Sequence, residues 1–181
     1  MRFSPVAKKT AWWLLFAVTT AVYVTMLTVT LPKLQAFSGG LSVPDMMASG
    51  YDAAYLNMLF DRLGEVGRHF YLRRQLALDM LYPILFAAAY GVLLAYLPAK
   101  ADLSRAWAKR LPLLPVLAGG FDYLENGMLA LMLHRYPDIS AVQAVSASAF
   151  TAAKSLFGAL TLLAVAVLLA LWGIRRRKAV C

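Results

Sequence analysis

The chain has 181 residues, of which 61% are hydrophobic, and a mean hydropathy of +0.65. It is too apolar for an ordinary soluble domain and long enough for only a handful of membrane spans, so we expect one integral membrane domain over residues 1–181. The formal net charge of +9 would suggest nucleic acid as a partner of a soluble protein. Here the basic residues cluster at the ends of apolar segments, without interleaved aromatic residues elsewhere, so we expect no nucleic-acid binding.

Four segments contain the roughly 20 predominantly apolar residues that a transmembrane helix needs. In chain order they cover residues 11–31, 75–97, 111–133 and 142–174. Prolines stand at or near the segment ends, where a helix can stop or begin; they are Pro32, Pro98, Pro112 and Pro137. The predicted fold is therefore an all-α integral membrane protein, a four-transmembrane-helix bundle.

The loop between the first two spans, residues 32–74, is the only sizeable segment predicted outside the membrane. Its first half is rich in turn residues, and from Tyr51 onward apolar residues recur at helical spacing between charged ones. This pattern predicts an amphipathic helix in the first extracytoplasmic loop, which Gly64 and Gly67 should break before the second span. Two roles are open for this helix: it covers the ends of the bundle, or residues 51–63 form a lid over an outward-facing cavity.

Three clusters of basic residues predict the topology. They precede the first span, fill the loop between the second and third spans, and follow the last span: Arg2, Lys8 and Lys9; Lys100, Arg105, Lys109 and Arg110; Arg175, Arg176, Arg177 and Lys178. By the positive-inside rule all three clusters are cytoplasmic, which predicts a plasma (inner) membrane protein with both termini inside. Cys181 is the only cysteine, so no disulfide within the chain and no cysteine-based metal site is expected.

The third span carries Asp122, Glu125 and Asn126 in the middle of an otherwise apolar run. An ionisable group at the bilayer centre costs about 2.5–3.5 kcal/mol on insertion scales, so two within one helical turn are expected to meet a protein partner or a water-filled cavity. Their spacing of i, i+3 and i+4 places all three side chains on one face of the helix. This face is the predicted functional surface.

Asp79 and Lys154 add charge to the second and fourth spans. With a rise of 1.5 Å per residue and a shared inner boundary, both are expected about 28 Å above the cytoplasmic side. Asp122 and Glu125 are expected about 15 and 20 Å above it. These depths predict polar groups that step inward from the outer surface, in an outward-opening pocket between the second, third and fourth spans.

Pro83 lacks the N–H that would bond the carbonyl of Asp79, four residues earlier. The helix should bend there and free that carbonyl beside the Asp79 carboxyl and Tyr82. This arrangement predicts a binding corner. The alternative is that Pro83 only shapes the bundle, while Asp79 pairs with Lys154 or Arg73.

Three interpretations of Asp122 and Glu125 stay open. They pair structurally with Lys154 or with hydroxyl groups, or one of them meets a polar head group or amine in a pocket whose aromatic walls hold an apolar body. In the third, the two carboxylates act as acid and base on a lipid substrate. His69 and His134 stand near the outer surface outside any ligand pair, so we expect no metal, and no motif indicates another cofactor.

Three stretches carry a resemblance to a known family: GEVGRHFY, LALDMLYP and GGFDYLENGM. Over residues 64–126 the chain resembles an uncharacterised bacterial family with four transmembrane helices. The layout is also similar to the EXPERA group of the sigma-2 receptor and emopamil-binding sterol isomerases, with a long outer excursion and an acid shortly before a proline in the second helix. That resemblance carries over only Asp79 and Pro83, because the first helix here lacks the acidic residue of that group.

The favoured function is binding or movement of a small amphipathic or lipid-like molecule in the outward-opening pocket. The alternatives are an intramembrane enzyme that uses Asp122 and Glu125, and an accessory or structural subunit of a larger membrane complex. Expected partners are membrane lipids, the amphipathic ligand, and a second copy of the chain or a membrane complex. The predicted ligand-binding residues are Asp79, Tyr82, Asp122, Glu125, Asn126 and Lys154.

Overall fold

The computed structural model describes residues 5–178, with the side chains of 10–178 except that of residue 105. Arg2 and Cys181, which bear on the predicted topology, lie outside the described residues. Residues 5–178 contain helices and loops but no β-strand. The α-helices are α1 Pro5–Thr25, α2 Leu31–Phe37, α3 Ala53–Phe70, α4 Leu76–Lys100, α5 Arg105–Arg110, α6 Leu113–Arg135 and α7 Ala141–Lys178. Wider π-helical turns, Met26–Thr30 and Tyr71–Gln75, join α1 to α2 and α3 to α4, and Pro44–Met46 forms a 3₁₀ turn.

Three helical stretches are long and apolar enough to cross a membrane: Thr10–Phe37, Ala53–Lys100 and Ala141–Lys178. An all-α class with candidate membrane-spanning helices is therefore what the structure supports. Helix α6 has 23 residues, or about 34 Å at 1.5 Å per residue, which is also long enough. Helix α6 carries the polar Asp122, Glu125 and Asn126 at its middle and is not one of these three stretches.

Pro32 and Pro98 lie near helix ends, as expected, but neither is the last residue of its helical stretch. The first helical stretch continues through Pro32 to Phe37, and the second continues through Pro98 to Lys100. In the π-turn before Pro32, the N–H of Leu31 bonds to the carbonyl of Met26, five residues back. Pro32 therefore falls at the start of a new helix, where its missing N–H costs little.

Helix α4 packs against α1, α6 and α7, and α6 packs against α4 and α7. The contact with α4 is close because residue 119 is a glycine: a Cβ there would lie 3.1 Å from the carbonyl oxygen of Pro83. Helix α1 packs against α4, whereas α1 and α7 have no extensive contact with each other. The bundle thus has a gap between α1 and α7.

Helix α3 covers the ends of α6 and α7. Its buried Leu56, Leu59 and Phe60 form one apolar cluster with residues such as Met132 and Ala147. The predicted break falls at Gly64 alone, whose φ of 61° and ψ of −176° kink the helix. Gly67 is helical and does not break the helix.

Candidate functional site

The centre of the candidate site is Lys154 on α7, whose ammonium contacts three carboxylates. Its Nζ lies 2.7 Å from Glu125 Oε2, 3.0 Å from Asp122 Oδ1 and 3.2 Å from Asp45 Oδ1. Asp122 and Glu125 reach Lys154 together because their i, i+3 spacing places them on the same face of α6. The predicted structural pairing of both acids with Lys154 is therefore present.

Asp45 is the member of this cluster that the sequence reasoning missed. It lies in the 3₁₀ turn Pro44–Met46, within a loop that was predicted only as an irregular excursion. Its Oδ2 accepts a hydrogen bond of 3.1 Å from the hydroxyl of Tyr71. The one local signal in the sequence was that Asp45 is a lone acid between the apolar residues Val43, Pro44, Met46 and Met47.

Tyr51 anchors the same loop to α7. The hydroxyl of Thr151 donates to the carbonyl of Ala147 at 3.0 Å, so the Tyr51 hydroxyl is the donor in its own 3.0 Å bond to Thr151. Burial, with a further contribution from nearby Glu125, raises the pKa of Tyr51, which keeps this hydroxyl protonated as a donor.

Asp79 differs from the other three acids because it has no cationic partner. Among the described side chains no lysine, arginine or histidine nitrogen lies within 4.0 Å of its carboxylate, so it pairs with neither Lys154 nor Arg73. Only 2% of the residue is exposed. Its Oδ2 accepts a 2.7 Å hydrogen bond from Gln75 Nε2, and the Oε1 of Gln75 accepts from the hydroxyl of Thr30.

The backbone around Asp79 has the geometry expected from Pro83. The carbonyl of Asp79, which the proline leaves without its helical donor, accepts a hydrogen bond of 3.1 Å from Asn126 Nδ2. The same amide nitrogen lies 3.3 Å from Asp122 Oδ1. Asn126 thereby joins Asp79 on α4 to the cluster around Lys154.

A cavity of about 370 Å³ adjoins these groups. Its polar end contains the four side chains of Asp45, Asp79, Asp122 and Lys154. An aromatic wall follows, in which the rings of Tyr23 and Tyr82 stack 5.5 Å apart and those of Tyr82 and Phe86 are 5.7 Å apart. The rest of the lining is mainly apolar: Met26, Leu27, Leu31, Met46, Pro83, Ala118, Gly119, Gly158, Ala159 and Leu162, with Ser155.

The open side of the cavity lies between α1 and α7. Residues from both helices line it, although the two helices have no extensive contact with each other. The rim is exposed, with Tyr23 at 44%, Leu27 at 36% and Leu162 at 51%. A Cβ added at Gly158 would have no atom within 4 Å, so the α7 side of this opening is unobstructed.

The structure changes the predicted shape of the pocket in two respects. The first helical stretch contributes one wall, so the cavity is not confined to the second, third and fourth spans. No residue of α3 lines it; the turn that does so is Pro44–Met46, so the predicted lid over residues 51–63 covers the bundle end instead.

The predicted series of depths is also wrong, because Lys154 and Asp122 are in contact and so lie at one level. The depths assumed a shared inner boundary for all spans. Pro83 precedes Pro98 by 15 residues and Gly119 follows Pro112 by seven, yet Pro83 and Gly119 touch. The level of Pro112 is therefore about 12 Å from that of Pro98, so the two prolines do not share one boundary.

Glu125 and Asn126 lie behind the cavity rather than in its lining. Glu125 is fully buried, and its Oε1 has no hydrogen-bond partner among the described residues. Carboxylate oxygens of Asp45, Asp122 and Glu125 lie within 4.8 Å of one another, a spacing that suits a metal ion. Lys154 Nζ lies against all three of these groups and supplies the positive charge in this structure.

No protein-family profile, curated protein or solved structure matches the chain. The resemblance to the bacterial four-helix family and to the EXPERA group therefore stays a prediction. The fold and site define a class only coarsely: an all-α protein with candidate membrane-spanning helices and a buried cluster of four acids and one lysine beside a cavity.

Proposed function

We propose that the protein binds, or moves, a membrane amphiphile with a cationic head group. The observation that carries this proposal is Asp79, a buried carboxyl group that lines the cavity without a cation within 4.0 Å. A buried charge is strongly favoured to find a partner of opposite sign. The cavity leaves room for that partner to come from a ligand.

The charge of the site favours a cation over an anion or a neutral head group. Fully ionised, the four carboxylates and the single ammonium of Lys154 have a formal charge of −3. The rings of Tyr23, Tyr82 and Phe86 line the same cavity as Asp79. Aromatic faces attract ammonium groups, and most strongly where water is excluded.

The open gap between α1 and α7 suits the apolar part of such a ligand. With the head group at Asp79, a hydrocarbon chain would leave the cavity past Leu27 and Leu162. Both rim residues are apolar, so the chain would pass from the cavity into the hydrocarbon layer without crossing a polar surface. Membrane lipids are thus the natural surroundings of the ligand.

The proposal includes a topology with four membrane spans in the plasma (inner) membrane. Helix α6 can cross the bilayer as the fourth span because its polar side chains face Lys154 and Asp79 rather than lipid. By the positive-inside rule, the basic clusters predict that both termini are cytoplasmic. Helix α3 then lies at the outer surface, with its apolar side on the bundle and Asp61 and Arg62 exposed.

Catalysis by Asp122 and Glu125 has less support. Both acids contact Lys154, and Glu125 does not line the cavity, so it would not touch a substrate bound there. An acid and base pair has to come within hydrogen-bond reach of the reacting group. Among the described residues, no contact favours the role of an accessory subunit.

The test compares three probes with the same twelve-carbon chain and fluorescent tag but different heads: trimethylammonium, hydroxyl and sulfonate. We expect the purified protein in phosphatidylcholine nanodiscs to bind the trimethylammonium probe at least tenfold more tightly than the other two. Asp79→Asn should remove this preference, and Asp138→Asn, at an exposed site, should retain it. Equal affinity for the three head groups, or an unchanged preference in Asp79→Asn, would contradict the proposal.

A further inference from the structure

With no ligand bound, the protonation of Asp79 depends on whether a nearby positive charge balances its carboxylate. The charged and titratable groups around it are Asp45, Asp122 and Lys154, with Tyr71 further along the same network. Lys154 lies against the other acids, and its single positive charge is shared among three carboxylates. No positive charge is left over for Asp79.

Gln75 determines which oxygen of Asp79 is free. The Thr30 hydroxyl donates to Gln75 Oε1, and this bond turns the amide nitrogen of Gln75 toward Asp79 Oδ2. Oδ2 is thereby an acceptor. Oδ1 has no hydrogen-bond partner among the described residues, and Asp79 lines the cavity. Oδ1 is the oxygen at which a proton would be held and from which a head group would displace it.

We propose that Asp79 holds a proton when the cavity is empty and releases it when a cationic head group binds, so that the protein exchanges one proton for one organic cation. This inference rests on the proposed function. The O–H bond of the carboxylic acid breaks, its electron pair stays on Oδ1, and the proton passes to solvent. The carboxylate then pairs with the ammonium, so the charge of the site is the same before and after exchange. No redox step is involved.

Charge conservation is the reason that exchange is favoured over simple addition. An ionised Asp79 in the empty site would be a buried carboxylate without a cation, which is costly in a low-dielectric surrounding. A neutral acid avoids this cost, and the ligand's positive charge removes the need for the proton. The association constant of the cation should therefore rise about tenfold for each unit by which the pH is raised, over the range in which one proton is exchanged.

The experiment measures proton release when dodecyltrimethylammonium is added to the protein in weakly buffered nanodiscs with a pH-indicator dye. A quaternary ammonium cannot lose a proton, so any proton that appears comes from the protein. We expect about one proton per bound cation near neutral pH. Infrared difference spectra should show loss of a carboxylic C=O band on binding, and Asp79→Asn should lack that band.

The outcomes separate this inference from the proposed function. Cation binding without proton release would overturn the exchange and leave the ligand class standing. Proton release and a C=O band that persist unchanged in Asp79→Asn would overturn the assignment to Asp79. If the cation does not bind, the proposed function fails. The infrared spectrum of the protein without ligand still tests whether Asp79 is protonated. If that spectrum has no carboxylic C=O band that Asp79→Asn removes, the inference fails too.

Discussion

At the scale of single residues, Lys154 is the group on which the buried acids depend. It contacts Asp45, Asp122 and Glu125, and its side chain is only 14% exposed. Replacing it leaves carboxylates buried without a partner, a change that typically costs about 3–5 kcal/mol. We therefore expect Lys154→Met to lower the free energy of unfolding by about that amount. Unfolding in increasing denaturant, at constant detergent, measures the difference.

Two controls show whether the loss comes from charge. Lys109→Met, at an exposed position, should leave the stability within about 0.5 kcal/mol of that of the original protein. Adding Asp122→Asn and Glu125→Gln to Lys154→Met should recover most of the loss, because the amides keep the volume without the charge. No recovery in this triple variant would mean that Lys154 stabilises the fold through packing rather than through its charge.

At the scale of elements, the gap between α1 and α7 decides which ligands can enter. Gly158 is on the α7 side of the gap and has open space where a side chain would begin. Gly158→Trp should fill the opening. We expect it to weaken binding of the dodecyltrimethylammonium probe at least tenfold while tetramethylammonium, which has no chain, keeps its affinity. Equilibrium binding in nanodiscs measures both.

Gly173→Trp provides a matched control on the same helix, because Gly173 also has nothing within 4 Å of an added Cβ and does not line the cavity. It should bind both cations like the original protein. If Gly158→Trp weakened the binding of both cations equally, the substitution would have disrupted the head-group site itself. Unchanged binding of the long-chain probe would show that its chain does not leave the cavity between α1 and α7.

At the scale of the whole molecule, the proposed topology places the turn between α6 and α7 outside and the loop around α5 inside. Asp138 and Lys109 are exposed residues of these two segments. In a Cys181→Ser background, Asp138→Cys should react with a membrane-impermeant maleimide in intact cells. Lys109→Cys should react only after the membrane is permeabilised. The reverse pattern, or labelling of both sites in intact cells, would contradict both termini being cytoplasmic.

Much of the helical framework follows from the sequence, because apolar length and helical spacing are local properties. The third span was predicted over 111–133 and the helix is Leu113–Arg135; the fourth was predicted over 142–174 and the helix is Ala141–Lys178. The second was predicted over 75–97 and the helix is Leu76–Lys100, whereas the first was predicted over 11–31 and its helical stretch continues past Pro32 to Phe37. The π-turn before Pro32 moves that residue to a helix start, and a π-turn is not visible in an apolar pattern.

The sequence alone determined an α-helical chain with long apolar helices, the shared face of Asp122, Glu125 and Asn126, and the carbonyl that Pro83 releases at Asp79. All of these depend on neighbours within a few residues along one helix. Only the tertiary structure decided that Asp45 meets Lys154, 109 residues away, that Asp79 has no cation, and that the cavity lies between α1 and α7. These features depend on how far each helix is displaced along and turned about its axis, which close contacts such as that of Gly119 with Pro83 determine.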